Sequence, residues 1–185
     1  MNPDLYNNKY RIESSRLKNW DYGRNASYFV TICTRNREKF FGEILDGEMH
    51  LSEIGQEAEK YWQKIPDLFP FVILDEFIVM PNHMHGIVVI DKPDDHTAVI
   101  ADGGGNSNRG GITGNHNPMT QENLSRILRW YKGRVKFESR EIQPDFGWHP
   151  RFHDHIIRNQ RSFERIRDYI INNPLNWQED KFYNK

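Results

Sequence analysis

The sequence is short of cysteine: Cys33 stands alone in a chain of 185 residues. An internal disulfide framework is thereby excluded, and a reducing compartment, by default the cytoplasm, is expected. Long apolar runs are missing as well. The longest, such as Phe77 to Met80 and Ile87 to Ile90, are far too short to cross a bilayer, so no membrane partner is expected. Met1 to Tyr10 is polar and lacks the apolar core of a signal peptide. Excess charge of either sign is absent too, since the formal net charge is −1. Taken as a sum, that value argues against a nucleic-acid binder.

The distribution of charge argues the other way. Glu43 to Glu76 holds nine acidic residues and two basic ones, whereas Thr120 to Arg140 holds six basic (Arg126, Arg129, Lys132, Arg134, Lys136, Arg140) and two acidic. Arg151 to Arg167 adds five basic residues against two acidic. A single basic helix is commonly just a solvated face. Two basic segments in one C-terminal third point to a phosphate-binding surface.

The length suits one domain spanning residues 1–185. Residues 1–25 read as a polar arm with scattered aromatics that packs onto the body. Ser27 to Thr34 is β-branched and aromatic, hence a strand. Phe41 to Leu51 reads as a hairpin turning at Asp46-Gly47. Ser52 caps a helix in which Ile54, Ala58, Tyr61, Trp62 and Ile65 recur at helical spacing, and Pro66 ends it. Phe71 to Met80 and Met84 to Ile90 are strands separated only by a tight Pro81-Asn82 turn, so they form an antiparallel pair. Residues 91–119, with Gly103-Gly104-Gly105, Gly110-Gly111 and Gly114, read as a flexible insertion. Gln121 to Ser139 is a basic helix, Arg151 to Ile157 a short strand, and Ser162 to Asn173 a final helix capped by Ser162 and stopped by Pro174. The order β-β-β-α-β-β-α-β-α implies an α+β sandwich: an antiparallel β-sheet with helices packed on one face.

One local pattern carries chemistry. In a strand, residues i and i+2 share a face, so His83 and His85 project together with Met84 turned the other way. Two neighbouring imidazoles can share one divalent metal, with a third ligand supplied from elsewhere in the fold. A bare His-x-His is more often an ordinary surface pair. Here its surroundings decide.

The stretch Pro81-Asn82-His83-Met84-His85-Gly86, after the strand Phe77-Ile78-Val79-Met80, resembles the signature of the HUH superfamily and of its single-tyrosine transposases. The ending Arg167-Asp168-Tyr169-Ile170-Ile171-Asn172-Asn173-Pro174 is similar to that of REP-associated tyrosine transposases. Trp148 to Asn159, Tyr28 to Thr31 and Phe41 to Ile44 resemble the same family, and the likeness runs from about Asp21 to Trp177. It implies a ferredoxin-like, RRM-like sandwich, with His83 and His85 as metal ligands and Tyr169 as nucleophile. Asn173 falls at the third metal position, where relatives often have Gln. Residues four apart share a helix face, so Tyr169 and Asn173 can meet one ion, Mg²⁺ or Mn²⁺ by the preference of these for oxygen.

The implied activity is cleavage and rejoining of single-stranded DNA near hairpins through a 5′-phosphotyrosine intermediate, by a monomer or a homodimer. Candidate DNA contacts are Arg126, Arg129, Lys132, Arg134 and Arg151 for phosphates, with Trp130 and Trp148 for stacking. Two rivals stand inside the chain. Tyr131 lies among cations that would lower its pKa, and His153 with His155 forms a second His-x-His. Two other functions share the motifs: a nicking or domesticated endonuclease acting on chromosomal repeats, and a DNA-binding module that has lost catalysis.

Overall fold

A two-residue turn at the centre of the chain sets the geometry of everything around it. Met80 pairs with His83, so Pro81 and Asn82 alone join the two longest neighbouring strands. The computed structural model describes residues 20–93 and 122–183. Residues 1–19 of the expected arm, and 94–119 of the expected insertion, lie outside the described residues. Within them, strand β1 (Ala26–Cys33) is followed by the hairpin of β2 (Gly42–Leu45) and β3 (Glu48–Leu51). Helices α1 (Glu53–Gln63) and α2 (Ile65–Leu68) precede β4 (Val72–Met80) and β5 (His83–Ile90). Helix α3 (Leu124–Glu138), strand β6 (His153–Ile157) and helix α4 (Gln160–Ile171) complete the order.

The main sheet is antiparallel, in the order β4-β5-β1-β6. The fold is α+β, as expected. At the β2–β3 turn, Asp46 (φ 51°) and Gly47 (φ 80°) both adopt left-handed conformations, as a two-residue hairpin turn of the primed kind requires. Ser52 caps α1 by accepting from Gly55 N. Pro66 does not simply end that helix; it sits in the first turn of α2, where its missing N–H costs nothing. The final helix is capped by Asn159, whose side chain accepts from the Ser162 backbone N–H at 2.9 Å. Ser162 is not the cap that its position suggests, because the chain turns helical two residues earlier.

The helices do not all lie on one face. Val88 and Met84 pack with Trp62 of α1 and Tyr131 of α3 in the main core. Gly86 shares that face, and a Cβ on it would stand 2.4 Å from the Trp62 ring, so glycine is what lets α1 approach. Ile87, pointing the opposite way, packs with Ile166 and Ile170 of α4. Apolar residues at even and odd positions of one strand require cover on both sides, and α4 supplies the second cover. Its own orientation is fixed by Arg167, which ion-pairs with Asp75 (2.8 Å) and Glu76 (2.9 Å), the two residues at the irregularity in β4.

Candidate active site

His83 and His85 lie on the α4 side of the sheet, in a strand with neighbours on both edges. Both side chains are buried, at 0% and 1% exposure, and their Nε2 atoms converge to 3.1 Å. The tautomer of His83 follows from its partners. The Asn82 amide nitrogen donates to the carbonyls of Phe182 (2.8 Å) and Arg37 (3.2 Å). Its oxygen therefore faces His83 Nδ1 at 2.8 Å, and that nitrogen must carry the hydrogen. His85 Nδ1 lies 2.9 Å from the Thr31 hydroxyl, and the Val30 backbone also hydrogen-bonds this ring. Burial, followed by the charges of Lys181 and Arg37, pushes the His83 pKa down to about 3. Burial also holds His85 well below its ordinary value. The neutral His83 ring, protonated at Nδ1, presents a bare Nε2 lone pair toward His85 Nε2, and the two Nε2 atoms are placed to share one metal ion.

Adjacent ligands on an octahedral ion with bonds of ~2.1 Å lie about 3 Å apart, which matches the Nε2 separation. The pair therefore fits a divalent cation. His83, His85 and Asp180 offer ligand atoms that all lie within 4.8 Å of one another.

Helix α4 brings Tyr169 to the same point. Its hydroxyl is 3.2 Å from His85 Nε2 and 3.3 Å from Asp180 Oδ2, and its ring meets Phe29 edge-on. The residue is 42% exposed and borders an opening of about 270 Å³ lined also by Asn173, Asn176, Glu179 and Asp180. Burial, then the Asp180 charge, raises its pKa, against a hydrogen bond from Asn173 that lowers it. The hydroxyl is thus held as a protonated phenol. Asn173 is buried and turns its amide nitrogen to Asp180 Oδ2 at 3.4 Å, while its Oδ1 is buried without a hydrogen-bond partner.

Nothing in the sequence pattern marks the C-terminal segment as part of this site. After α4, a short 3₁₀ turn (Trp177–Glu179) brings Asp180 against Tyr169, and the Phe182 ring lies 4.5 Å from that of His83. No spacing rule links Asp180 to His83, nearly a hundred residues earlier in sequence. The only local hint is aromatic residues flanking an acidic one at the very end.

The rivals fare differently from the sequence expectation. Tyr131 is fully buried and donates to the Ala58 carbonyl at 3.1 Å; burial raises its pKa well above the ordinary value, so cationic neighbours do not lower it. His153 and His155 are exposed on the edge strand β6.

Most of the expected DNA contacts on α3 have other partners. Lys132 donates to the His149 carbonyl, Arg134 pairs with Glu138, and Trp130 packs against Tyr61 and Phe69. Trp148 donates to the Lys132 carbonyl and packs against Phe41 and Tyr131. Arg126 and Arg129 are exposed on α3, whose packing face lies across the sheet from the histidines. Arg151 lies nearer: with Arg37, His149 and His153 it lines a groove of about 290 Å³ that reaches Thr31 and Phe182.

No protein-family model matches the chain. An uncharacterized protein of Haemophilus influenzae is 35% identical over 174 residues, covering 92% of each chain. The chain belongs to that protein's family. A second protein of the same organism, provisionally named a REP-associated tyrosine transposase, is 22% identical over 155 residues, covering 84% of this chain and 73% of its own. A solved structure of a REP-associated tyrosine transposase bound to a REP hairpin matches with a TM-score of 0.58 at 20% identity, covering 91% of this chain and 77% of that one. The resemblance to REP-associated tyrosine transposases carried by Pro81–Gly86 and Arg167–Pro174 is met by these two similarities, and the fold is that of the solved REP-associated transposase. No helix among the described residues is long and apolar enough to cross a membrane.

Proposed function

We propose that the protein cuts and rejoins single-stranded DNA beside hairpins, with Tyr169 as the attacking group and a divalent metal at His83 and His85. The observation that carries this reading is the Tyr169 hydroxyl standing 3.2 Å from one of two converging histidine nitrogens. A phenol alone is a poor nucleophile; beside a centre able to hold a phosphate it has a target.

In the proposed reaction the Tyr169 oxygen bonds to phosphorus in line with the bond to the departing 3′ oxygen, which breaks. The product is a 5′-phosphotyrosine and a free 3′-OH, and the retained ester lets a 3′-OH reverse the step. The phenolic proton has an acceptor in reach, Asp180 Oδ2. Phe29 and the Arg167 ion pairs keep the ring in position. A bound Mg²⁺ or Mn²⁺ would neutralise charge growing on the phosphate oxygens. Arg37 and Arg151, bordering the groove beside Thr31, suit a backbone phosphate on the approaching strand. The hairpin bound by the solved relative supports hairpin DNA as the substrate class.

The test is incubation with short hairpin-bearing single strands and Mn²⁺, read on a denaturing gel and by mass spectrometry. Cleavage with a covalent adduct at Tyr169 is expected. Cutting without any adduct would make water the nucleophile and the protein a metallonuclease.

A further inference from the structure

Resting on that reading of the metal site, we infer that Asp180, not Asn173, supplies its third protein ligand. The histidine pair is neutral and an amide is neutral, so a set of His83, His85 and Asn173 would bring no negative charge to a divalent ion. Mg²⁺ and Mn²⁺ favour carboxylate oxygen. Asp180 provides one within 4.8 Å of both histidine nitrogens.

Its geometry is that of a ligand held ready. One carboxylate oxygen, Oδ1, accepts from the Phe182 backbone N–H at 2.6 Å, which fixes the plane of the group. The other, Oδ2, is left facing Tyr169 and Asn173. The Asn82 amide further ties Phe182 to the histidine strand by holding the Phe182 carbonyl. Asp180 is thus positioned by the same asparagine that sets the His83 tautomer.

Asn173 turns a donor toward this carboxylate, and its partnerless Oδ1 would bring no charge to a divalent ion. Its amide nitrogen, a donor, points at Asp180, and a donor cannot bind a cation. Were the amide turned over, its oxygen would stand against the carboxylate, an arrangement that itself needs a cation between the two. In either orientation Asp180 stays in the shell. Asn173 is then a positioning residue that steers the carboxylate and the phenol.

The test is Mn²⁺ binding to the full-length protein, followed by calorimetry and by loss of the free-ion electron paramagnetic resonance signal, without DNA. The wild type is expected to bind one ion and His85→Ala none. Asp180→Asn, which keeps the shape but not the charge, should weaken binding at least about tenfold, Asp180→Glu should restore most of it, and Asn173→Ala should change it less than about threefold. Binding by Asp180→Asn equal to or tighter than wild type would overturn the assignment while leaving the histidine site intact. A larger loss in Asn173→Ala than in Asp180→Asn would also overturn it. Absence of Mn²⁺ binding in the wild type would defeat this inference together with metal dependence, whereas the Tyr169 adduct is decided separately by mass spectrometry.

Discussion

Strands β5 and β6 both carry two histidines two residues apart, and both pair with β1. Thr31 of β1 lies opposite His85 on one side and His153 on the other, so the two pairs even share a face of the sheet. Yet His83 and His85 are buried and converge, while His153 and His155 stand exposed at an edge. The difference is position, not composition. A strand with neighbours on both sides, covered by α4 and by the segment carrying Phe182, forces its imidazoles out of water and toward each other. An edge strand leaves them solvated. Burial then makes the inner pair neutral, and neutrality is what a metal ligand needs.

Exchanging the roles of the two pairs is the sharpest way to break this comparison. His85→Ala should abolish cleavage of a hairpin-bearing single strand, a loss on the order of 10³-fold, whereas His155→Ala should stay within about threefold of wild type on the same gel. Comparable losses in both would mean that burial does not select the working pair.

The two tyrosines extend the contrast. Tyr169→Phe should retain the fold and eliminate the protein–DNA adduct. Tyr131→Phe should retain the adduct and lose about 1 kcal/mol of stability with its hydrogen bond to Ala58. An adduct that persists in Tyr169→Phe, seen by mass spectrometry, would reverse the assignment.

Acid should probe the buried pair through stability. With its pKa held near 3 in the fold and at 6.5 when free, His83 binds fewer protons folded than unfolded between those values. Its contribution is present above pH 6.5 and is lost as pH falls toward 3. Thermal midpoints measured across that range should fall less steeply in His83→Gln than in wild type, and an unchanged slope would show that the ring is not kept neutral.

The smallest effect concerns α4. Arg167→Ala removes two partly exposed ion pairs, each worth under about 1 kcal/mol, so the melting temperature should move little. Cleavage should fall about tenfold through misplacement of Tyr169. A rate equal to wild type would mean that apolar packing of Ile166 and Ile170 suffices to aim the helix.

Local patterns in the sequence account for much of the fold. The Asp46-Gly47 turn, the Ser52 cap and the Pro81-Asn82 turn are set by residues adjacent in the chain, and each is legible from those residues alone. Periodicity likewise places His83 with His85, and Tyr169 with Asn173, because strand and helix repeats are fixed by backbone geometry. For the basic stretch on α3, charge counting cannot tell a side chain facing solvent from one bound to a neighbouring carbonyl, as Lys132 is. Element order alone suggests helices on a single face. The unbroken apolar run of β5 overrides it by demanding cover on both sides.

What the sequence determined by itself, then, was the set of local elements and the two motifs, since each depends on interactions a few residues long. Tertiary structure alone decided which His-x-His pair is buried, which tyrosine reaches it, and that Asp180 comes to stand beside them. Those outcomes rest on the order of strands in the sheet and on the return of the chain's last segment. Contacts between residues about a hundred positions apart leave no periodic trace in one sequence; they form because apolar faces of β5, α4 and the Trp177–Phe182 segment must be buried together.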